Sequence, residues 1–236
     1  VEAELAWSSL WHFQLRLARL ELNAPTLLMR RDGTGRFFAA GLEITPQAGD
    51  EDDFTDWLLA QDRVIIRNAS VAWQDELRDA PLLEFKHLNF QLDNNGSKHR
   101  FGFTAEPPQQ MAARIDIRGD FKGHDLDQLE AWKGEVYAEL DYADLAVWRA
   151  WVDYPVALPQ GSGALRLWLG FAHKQLISTT ADVRLADVRL QLRADLPELD
   201  LLRLEGRLAG RRLVNDGGGF EAELKHLTLA TRDGLA

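Results

Sequence analysis

Histidine is the residue in this chain whose chemistry is easiest to place, because clustered histidines bind metals and single ones transfer protons. No two of them have the spacing of a zinc site such as HExxH or His-x-His. His87 and His226 occupy equivalent polar positions in a strand pattern that recurs along the chain, so we interpret both as solvent-facing. The six histidines are His12, His87, His99, His124, His173 and His226. We predict no metal site at any of them.

Carboxylates and glycines give no catalytic motif either. The acidic run from Asp50 to Asp53 lacks the alternating ligands and the turn glycine of a calcium loop. Asp116 and Asp120 alternate with arginines on a strand, whereas paired catalytic carboxylates need a cleft. The glycines at 217–219 precede a strand and not a helix, which is not the arrangement of a phosphate-binding loop. We therefore expect no enzyme activity, no catalytic residue, no cofactor and no bound metal.

Composition narrows the class of protein further. The chain has 236 residues, of which 46% are hydrophobic, and this is enough to bury a core. Its formal net charge of -10 argues against binding to nucleic acid and against electrostatic binding to anionic lipid surfaces. Apolar ligands are not excluded, because buried area drives their binding. The chain has no cysteine, so disulfides and thiol chemistry are absent.

Alternation with a period of two residues dominates the chain and predicts strands with one apolar and one polar face. In Ala113–Phe121 the odd positions are apolar or glycine, while the even positions are Arg, Asp, Arg and Asp. The stretches Val136–Leu140 and Leu165–Phe171 alternate in the same way. Asp32-Gly33 and Asn95-Gly96 lie between such stretches and predict hairpin turns, because these residues tolerate positive φ.

A longer pattern, apolar-x-apolar-x-x-apolar-x-apolar with x for any residue, recurs four times. A regular strand would turn its apolar residues to the other face after the two central x residues, but a β-bulge absorbs the extra residue and bends the strand. We favour the bulge over the two alternatives, which are a chance match and two strands joined by a tight turn. The copies are Leu15–Leu22, Leu83–Phe90, Val183–Leu190 and Ala222–Leu229.

Helical periodicity is confined to three short segments. They are Asp53–Gln61, Asp125–Lys133 and Ala143–Val152, each with apolar residues on one helical face. These helices are too few to cover the apolar faces of so many strands. We therefore predict a mainly β fold: a long, curved antiparallel sheet that forms an open groove, with two or three short helices. A closed β-sandwich, serving as an interaction or structural module, is the alternative.

Twelve apolar residues share one phase of the two-residue alternation. We therefore assign them to one continuous apolar face, a groove surface that would contact acyl chains. These candidates are Ile115, Ile117, Phe121, Val136, Leu140, Leu165, Leu167, Leu169, Val183, Leu185, Val188 and Leu190. We expect two segments within the chain, residues 1–123 with a first sheet and residues 124–236 with a helix pair and a second sheet.

The ends of the sequence predict a fragment of an elongated protein. It begins with Val1 and ends at Ala236 within strand-like sequence. No stretch resembles a signal peptide or supplies the roughly 20 apolar residues of a membrane span, so we expect any anchor to lie outside these residues.

Several segments, in order along the chain, resemble the YhdP proteins, an AsmA-like family of bacterial envelope proteins. The resemblance covers residues from about 1 to 210 and matches the N-terminal periplasmic portion of those proteins. Individual motifs such as WxDE are weak, and their order and spacing carry the match. The segments are Trp57–Ala69, Val71–Glu76, Ala146–Trp151, Gly161–Leu169 and Ala194–Leu199.

The resemblance implies a function that spacing alone does not show. Proteins of this family are anchored in the inner membrane by an N-terminal helix and extend through the periplasm. They are thought to form a taco-like β groove, similar to that of eukaryotic bridge-like lipid transfer proteins, along which phospholipid moves toward the outer membrane. The expected partners are therefore phospholipid acyl chains and the inner membrane, and the expected location is the periplasm. The family has no short catalytic signature that could be transferred to these residues.

Overall fold

The computed structural model describes residues 2–5, 17–43, 58–124, 130–154, 156–212 and 219–231. These residues form one 14-stranded sheet, which is open and curved. The expectation of a mainly β fold with an open sheet is confirmed. A closed sandwich is not the arrangement of the described residues, because all of the strands belong to this one sheet.

The strands become longer toward the C-terminal half. The first five are β1 (Glu2–Leu5), β2 (Leu17–Asn23), β3 (Thr26–Arg31), β4 (Phe37–Ala39) and β5 (Leu42–Glu43). The next four are β6 (Arg63–Asp75), β7 (Leu83–Asn95), β8 (Lys98–Glu106) and β9 (Ile115–Lys122). The last five are β10 (Lys133–Asp144), β11 (Ala157–Ala172), β12 (Gln175–Gln191), β13 (Leu199–Arg212) and β14 (Phe220–Thr231).

From β6 to β14 the chain forms a meander in which each strand pairs antiparallel with the next. At the other side of β6 the pairing is different, because β2 and β3 both run parallel to it. They lie end to end along β6, with β2 beside residues 64–67 and β3 beside residues 70–75. Parallel pairing needs a crossover connection, and hairpin signals in the sequence gave no indication of it.

β9 pairs with β10, so a single sheet runs through both of the segments expected from the sequence. Their division at residue 124 stays a prediction.

Register shifts support the bulge interpretation in all four copies of the pattern, and three of them also contain a residue with positive φ. His87, Asp187 and His226 have φ of 48°, 49° and 52°, and each is the fifth residue of its copy. A non-glycine residue with positive φ inside a strand is uncommon and marks an irregular ladder. Hydrogen-bonding register shifts accompany them, for example between Lys86 and Asn89 on β7.

The remaining copy and an unexpected fifth one complete the pattern. In Leu15–Leu22 the first two residues lie outside the described residues, and Arg19 does not have positive φ. The register of β2 with β1 nevertheless shifts between Leu17 and Arg19. Val64–Val71 on β6 is a fifth copy, and alternation did not reveal it because Ile65 occupies a position that is polar in all four of the others. Its fifth residue, Asn68, also has positive φ, of 51°. Asn68 and His87 are hydrogen-bonded neighbours, with 2.8 Å between Oδ1 and Nδ1.

Within the described residues, the expected helices end earlier than predicted. In the first, residues 53–57 lie outside the described residues and residues 58–60 are helical. In the second, residues 125–129 lie outside them, and Lys133 is not helical but begins β10. The third contains α1 (Leu145–Trp148), which is N-capped by Asp144 through hydrogen bonds to the amides of Ala146 and Val147.

Both predicted turns connect strands. Gly96 has φ of 57° between β7 and β8, which form a tight hairpin in which Asn95 pairs with Lys98. The connection after Asp32 is longer, and the Asp32 carboxylate holds it by accepting hydrogen bonds from the amides of Thr34 and Arg36, at 2.9 and 3.0 Å. These hydrogen bonds lower the pKa of Asp32, with the Thr34 hydroxyl contributing most.

Candidate functional site

The strand register places the candidate residues of β9, β10 and β11 on one face of the sheet, because directly paired residues in an antiparallel sheet point to the same side. Ile115 pairs with Leu140, Leu140 with Leu165, and Leu165 with Val183. Val136 pairs with Leu169 in the same way. We call this side of the sheet the apolar face.

One apolar residue from each of ten strands forms a continuous cross-strand row on this face. We call it the central ladder, and each member pairs directly with the next. Strands are about 4.8 Å apart, so the ladder is on the order of 40 Å long. Its members are Leu22, Ile66, Phe90, Phe103, Ile117, Ala138, Leu167, Ala181, Leu208 and Leu224.

The opposite face, the polar face, carries a matching row of hydrophilic residues. Glu139 accepts hydrogen bonds from the Tyr137 hydroxyl at 2.8 Å and from Arg166 at 2.7 Å, and both lower its pKa. Arg207 binds Asp182 in a two-pronged ion pair and lowers its pKa too. The sheet is therefore amphipathic along most of its width. The row runs through Asn89, Thr104, Asp116, Glu139, Arg166, Asp182, Arg207 and Lys225.

The candidate residues fall into an open group and a covered group. Eight are half-buried, and no second sheet of the described residues lies over them. Four are buried, and three of these share a cluster with Leu158 and Leu201, against which Leu145 and Tyr154 pack. The open group is Ile117, Phe121, Val136, Leu140, Leu165, Leu167, Leu169 and Val183, and the covered group is Ile115, Leu185, Val188 and Leu190.

Phenylalanine rings lie over glycines in the middle of the apolar face. A Cβ on Gly119 would lie 2.2 Å from Cε1 of Phe101, and a Cβ on Gly134 would lie 2.4 Å from Cδ1 of Phe121. The Phe101 and Phe121 rings stack at 6.2 Å between centroids with an interplanar angle of 10°. The glycines thus leave room for the rings to lean across neighbouring strands, which makes this part of the face a broad aromatic surface.

Aromatic residues also mark the two ends of the strands. At one end, His99 is buried, stacks on Trp132 at 5.0 Å, and contacts Asn94 Oδ1 at 2.8 Å through Nδ1. At the other end, Trp148 of α1 donates a hydrogen bond to the carbonyl of Met111 at 3.2 Å. Both borders of the apolar face are therefore built from tryptophan and buried polar contacts.

The candidate residues predicted from the sequence leave out part of the apolar face. Phe101 and Phe103 on β8 and Phe90 on β7 have the same alternation that identified β9 and β11, but this stretch was considered only for its hairpin turn and its bulge. On β13 and β14 the face continues through Leu208 and Leu224, which are exposed. The signal was present in both places as alternation interrupted by glycine or by a bulge.

Three clefts of about 640 to 880 Å³ lie on the polar face. Charged side chains make up half or more of the lining of two of them, while the third is lined mainly by uncharged residues, including Tyr137 and Trp168. Within the described ranges, no group of three or more His, Asp or Glu side chains is placed to hold a metal ion. In the same part of the chain, no helix has the length and hydrophobicity needed to cross a membrane. The feature that distinguishes the molecule is thus the apolar face itself.

Comparison with known proteins supports one assignment. No curated protein and no solved structure matches the chain. The sequence model of one protein family, described as YhdP protein, matches residues 1–236. Since the match covers the whole chain, this protein belongs to the YhdP family of bacterial envelope proteins.

Proposed function

We propose that this chain is a segment of a bridge-like protein that carries phospholipid across the periplasm from the inner membrane toward the outer membrane. In this proposal, acyl chains lie on the apolar face and move along the central ladder. The polar face remains in water, and an anchor outside these residues tethers the protein to the inner membrane. The chain carries out no chemical reaction.

The single observation that supports this proposal best is the unbroken central ladder, on a face that no second sheet formed by the described residues covers. An apolar surface this long is unusual on a protein that works in water, and such surfaces mark ligand or partner sites. A closed core would bury these side chains, yet Leu167 and Leu169 are only half-buried, and Leu208 and Leu224 are 47% and 54% exposed.

The length of the ladder suits a lipid. Half of the ~30 Å hydrocarbon core of a bilayer is about 15 Å, which is the depth of one acyl layer. The ladder is on the order of 40 Å long, so it would hold acyl chains over their whole length with further strands on either side. Each methylene removed from water contributes about 0.8 kcal/mol. Exposing a lipid with roughly 30 methylenes to water therefore costs on the order of 24 kcal/mol. A continuous apolar face reduces this cost at each step of the transfer, because it covers the methylenes that leave the bilayer.

Native mass spectrometry of the purified chain, together with Leu167→Asp, tests the proposal. We expect phospholipid to remain bound to the unaltered chain. In Leu167→Asp the new carboxylate interrupts the central ladder, so bound lipid should be lost. Because Leu167 is half-buried, the carboxylate can stay hydrated, and the loss of stability should stay below the several kcal/mol of a fully buried charge.

Thr180→Asp is the matched control, because Thr180 pairs with Trp168 on the polar face. This variant adds the same charge one row away and should keep its lipid. If the unaltered chain carries no lipid, or if both variants keep it, the proposed function is wrong.

A further inference from the structure

Three lysines occupy neighbouring register positions where three strands end. Lys98 begins β8, Lys122 ends β9 and Lys133 begins β10. Lys122 pairs directly with each of the other two. Since directly paired residues have Cβ atoms about 5 Å apart, the three ammonium groups share one small patch. All three side chains are exposed.

No carboxylate is bonded to any of these lysines in the part of the chain that the structure describes. The adjacent row of the polar face differs, since it alternates in charge through Arg63, Asp93, Arg100 and Asp120, and Asp120 then pairs with Glu135. Within that row, Arg100 donates to Asp120 at 2.7 Å. Like charges placed directly opposite each other destabilise a sheet, so an anion that neutralises the lysines would stabilise this edge.

The lysine patch adjoins the apolar face at its border. One residue along each strand, His99, Phe121 and Gly134 pair with one another and face the apolar side. Phe121 belongs to the open group of candidate residues and is next to Lys122 in the chain. A ligand that lies on Phe121 and reaches around this border would bring a polar group to flexible lysine side chains.

We propose that Lys98, Lys122 and Lys133 bind the phosphate of a phospholipid whose acyl chains lie on the apolar face. Phosphate is the anion that fits, because lysine binds it as a point charge and several lysines can share its oxygens. A phospholipid carries this anion at the end of the acyl chains that the face accepts. This inference rests on the proposed function and adds the position of the headgroup. The net charge of -10 describes the whole chain and therefore gives no indication of this local patch of lysines.

Binding of soluble short-chain lipids to the purified chain tests the inference. The probes are dihexanoyl phosphatidylglycerol, dihexanoylglycerol, which lacks the phosphate, and inorganic phosphate, each titrated calorimetrically. The unaltered chain should bind the phospholipid more tightly than the diacylglycerol. Lys122→Gln should weaken phospholipid binding about fivefold, the effect of one lysine near an anionic lipid surface. The triple variant K98Q/K122Q/K133Q should weaken it further, and diacylglycerol binding should stay unchanged in both.

Lys86→Gln is the control, since Lys86 is an exposed lysine of β7 outside the patch. It should bind all three probes as the unaltered chain does. Equal weakening of phospholipid and diacylglycerol binding by Lys122→Gln would overturn the headgroup site and leave the proposed function intact. Tight binding of inorganic phosphate at the same lysines, without preference for the phospholipid over the diacylglycerol, would also overturn it. If neither lipid binds to the unaltered chain, the proposed function and this inference fail together.

Discussion

The ring of Phe101 lies against Gly119 of the neighbouring strand, so closely that a Cβ at position 119 would be 2.2 Å from its Cε1 atom. Gly119 thus has a specific reason to lack a side chain. Because position 119 has no side chain, the Phe101 ring leans across β9 and stacks on Phe121, which in turn covers Gly134. The surface of the apolar face therefore depends on pairs of residues on neighbouring strands, in which a phenylalanine ring lies over a glycine.

Gly119→Ala should accordingly destabilise the protein by about 1–3 kcal/mol, because the methyl group overpacks against the Phe101 ring. Gly102→Ala is the control, since a Cβ at Gly102 meets no atom within 4 Å. We expect its free energy of unfolding to change by less than about 0.5 kcal/mol. Denaturant unfolding of both variants measures the difference. Equal stabilities would show that the ring does not occupy this space.

The bulge at Asp187 makes a second prediction about stability. With φ of 49°, this position suits Asn or Gly and disfavours a β-branched residue. Asp187→Asn should leave the free energy of unfolding nearly unchanged, while Asp187→Val should lower it by about 1–3 kcal/mol. The comparison with Arg184→Val, an exposed position in the regular part of the same strand, separates the backbone effect from the loss of a charged residue. If both valine variants were equally stable, the bulge assignment would be wrong.

Ion pairs on the polar face predict how stability depends on pH. The pKa values of Glu139 and Asp182 are lowered in the folded state, so these carboxylates stabilise the fold above their unfolded pKa of about 4. That contribution disappears as the pH falls through their folded pKa values. The melting temperature should therefore be nearly constant from about pH 8 to pH 6 and decrease below about pH 4.

Arg207→Gln tests the Asp182 pair specifically. It removes the hydrogen bond that lowers the pKa of Asp182, so its melting temperature should be lower than that of the unaltered chain at pH 7. The difference should shrink as the pH falls below 4. Lys86→Gln removes a positive charge without removing such a pair and should show a difference that does not depend on pH. A constant difference for Arg207→Gln as well would contradict the assignment.

The sequence predicted the sheet and one part of the apolar face well, because alternation is a local signal. Ile115, Val136 and Leu167 were assigned to one face by their spacing alone, and the register agrees. Helix ends were predicted poorly. Lys133 follows a helical pattern, but its pairing with both Lys122 and Ala172 places it in the sheet.

Long-range pairing explains what the sequence could not predict. Lys98 begins β8 and Lys122 ends β9, so the two lysines are far apart in the sequence, and only the register of β8 with β9 places them side by side. The parallel pairing of β2 and β3 with β6 is equally invisible to local pattern. Leu185 is covered and Leu167 is not, and this difference depends on where Leu145, Tyr154 and Leu158 pack, far from Leu185 in the sequence.

Site-specific photocrosslinking at position 167 tests the central claim, that the apolar face binds acyl chains, most directly. A benzophenone side chain replaces Leu167 in one variant and Arg166 in another, so that neighbouring residues probe opposite faces of β11. Each chain is illuminated with phospholipid vesicles and examined by mass spectrometry. We predict a covalent adduct of phospholipid mass at position 167 and none at position 166. Equal labelling at both positions, or no adduct at position 167 in a folded chain, would contradict the account.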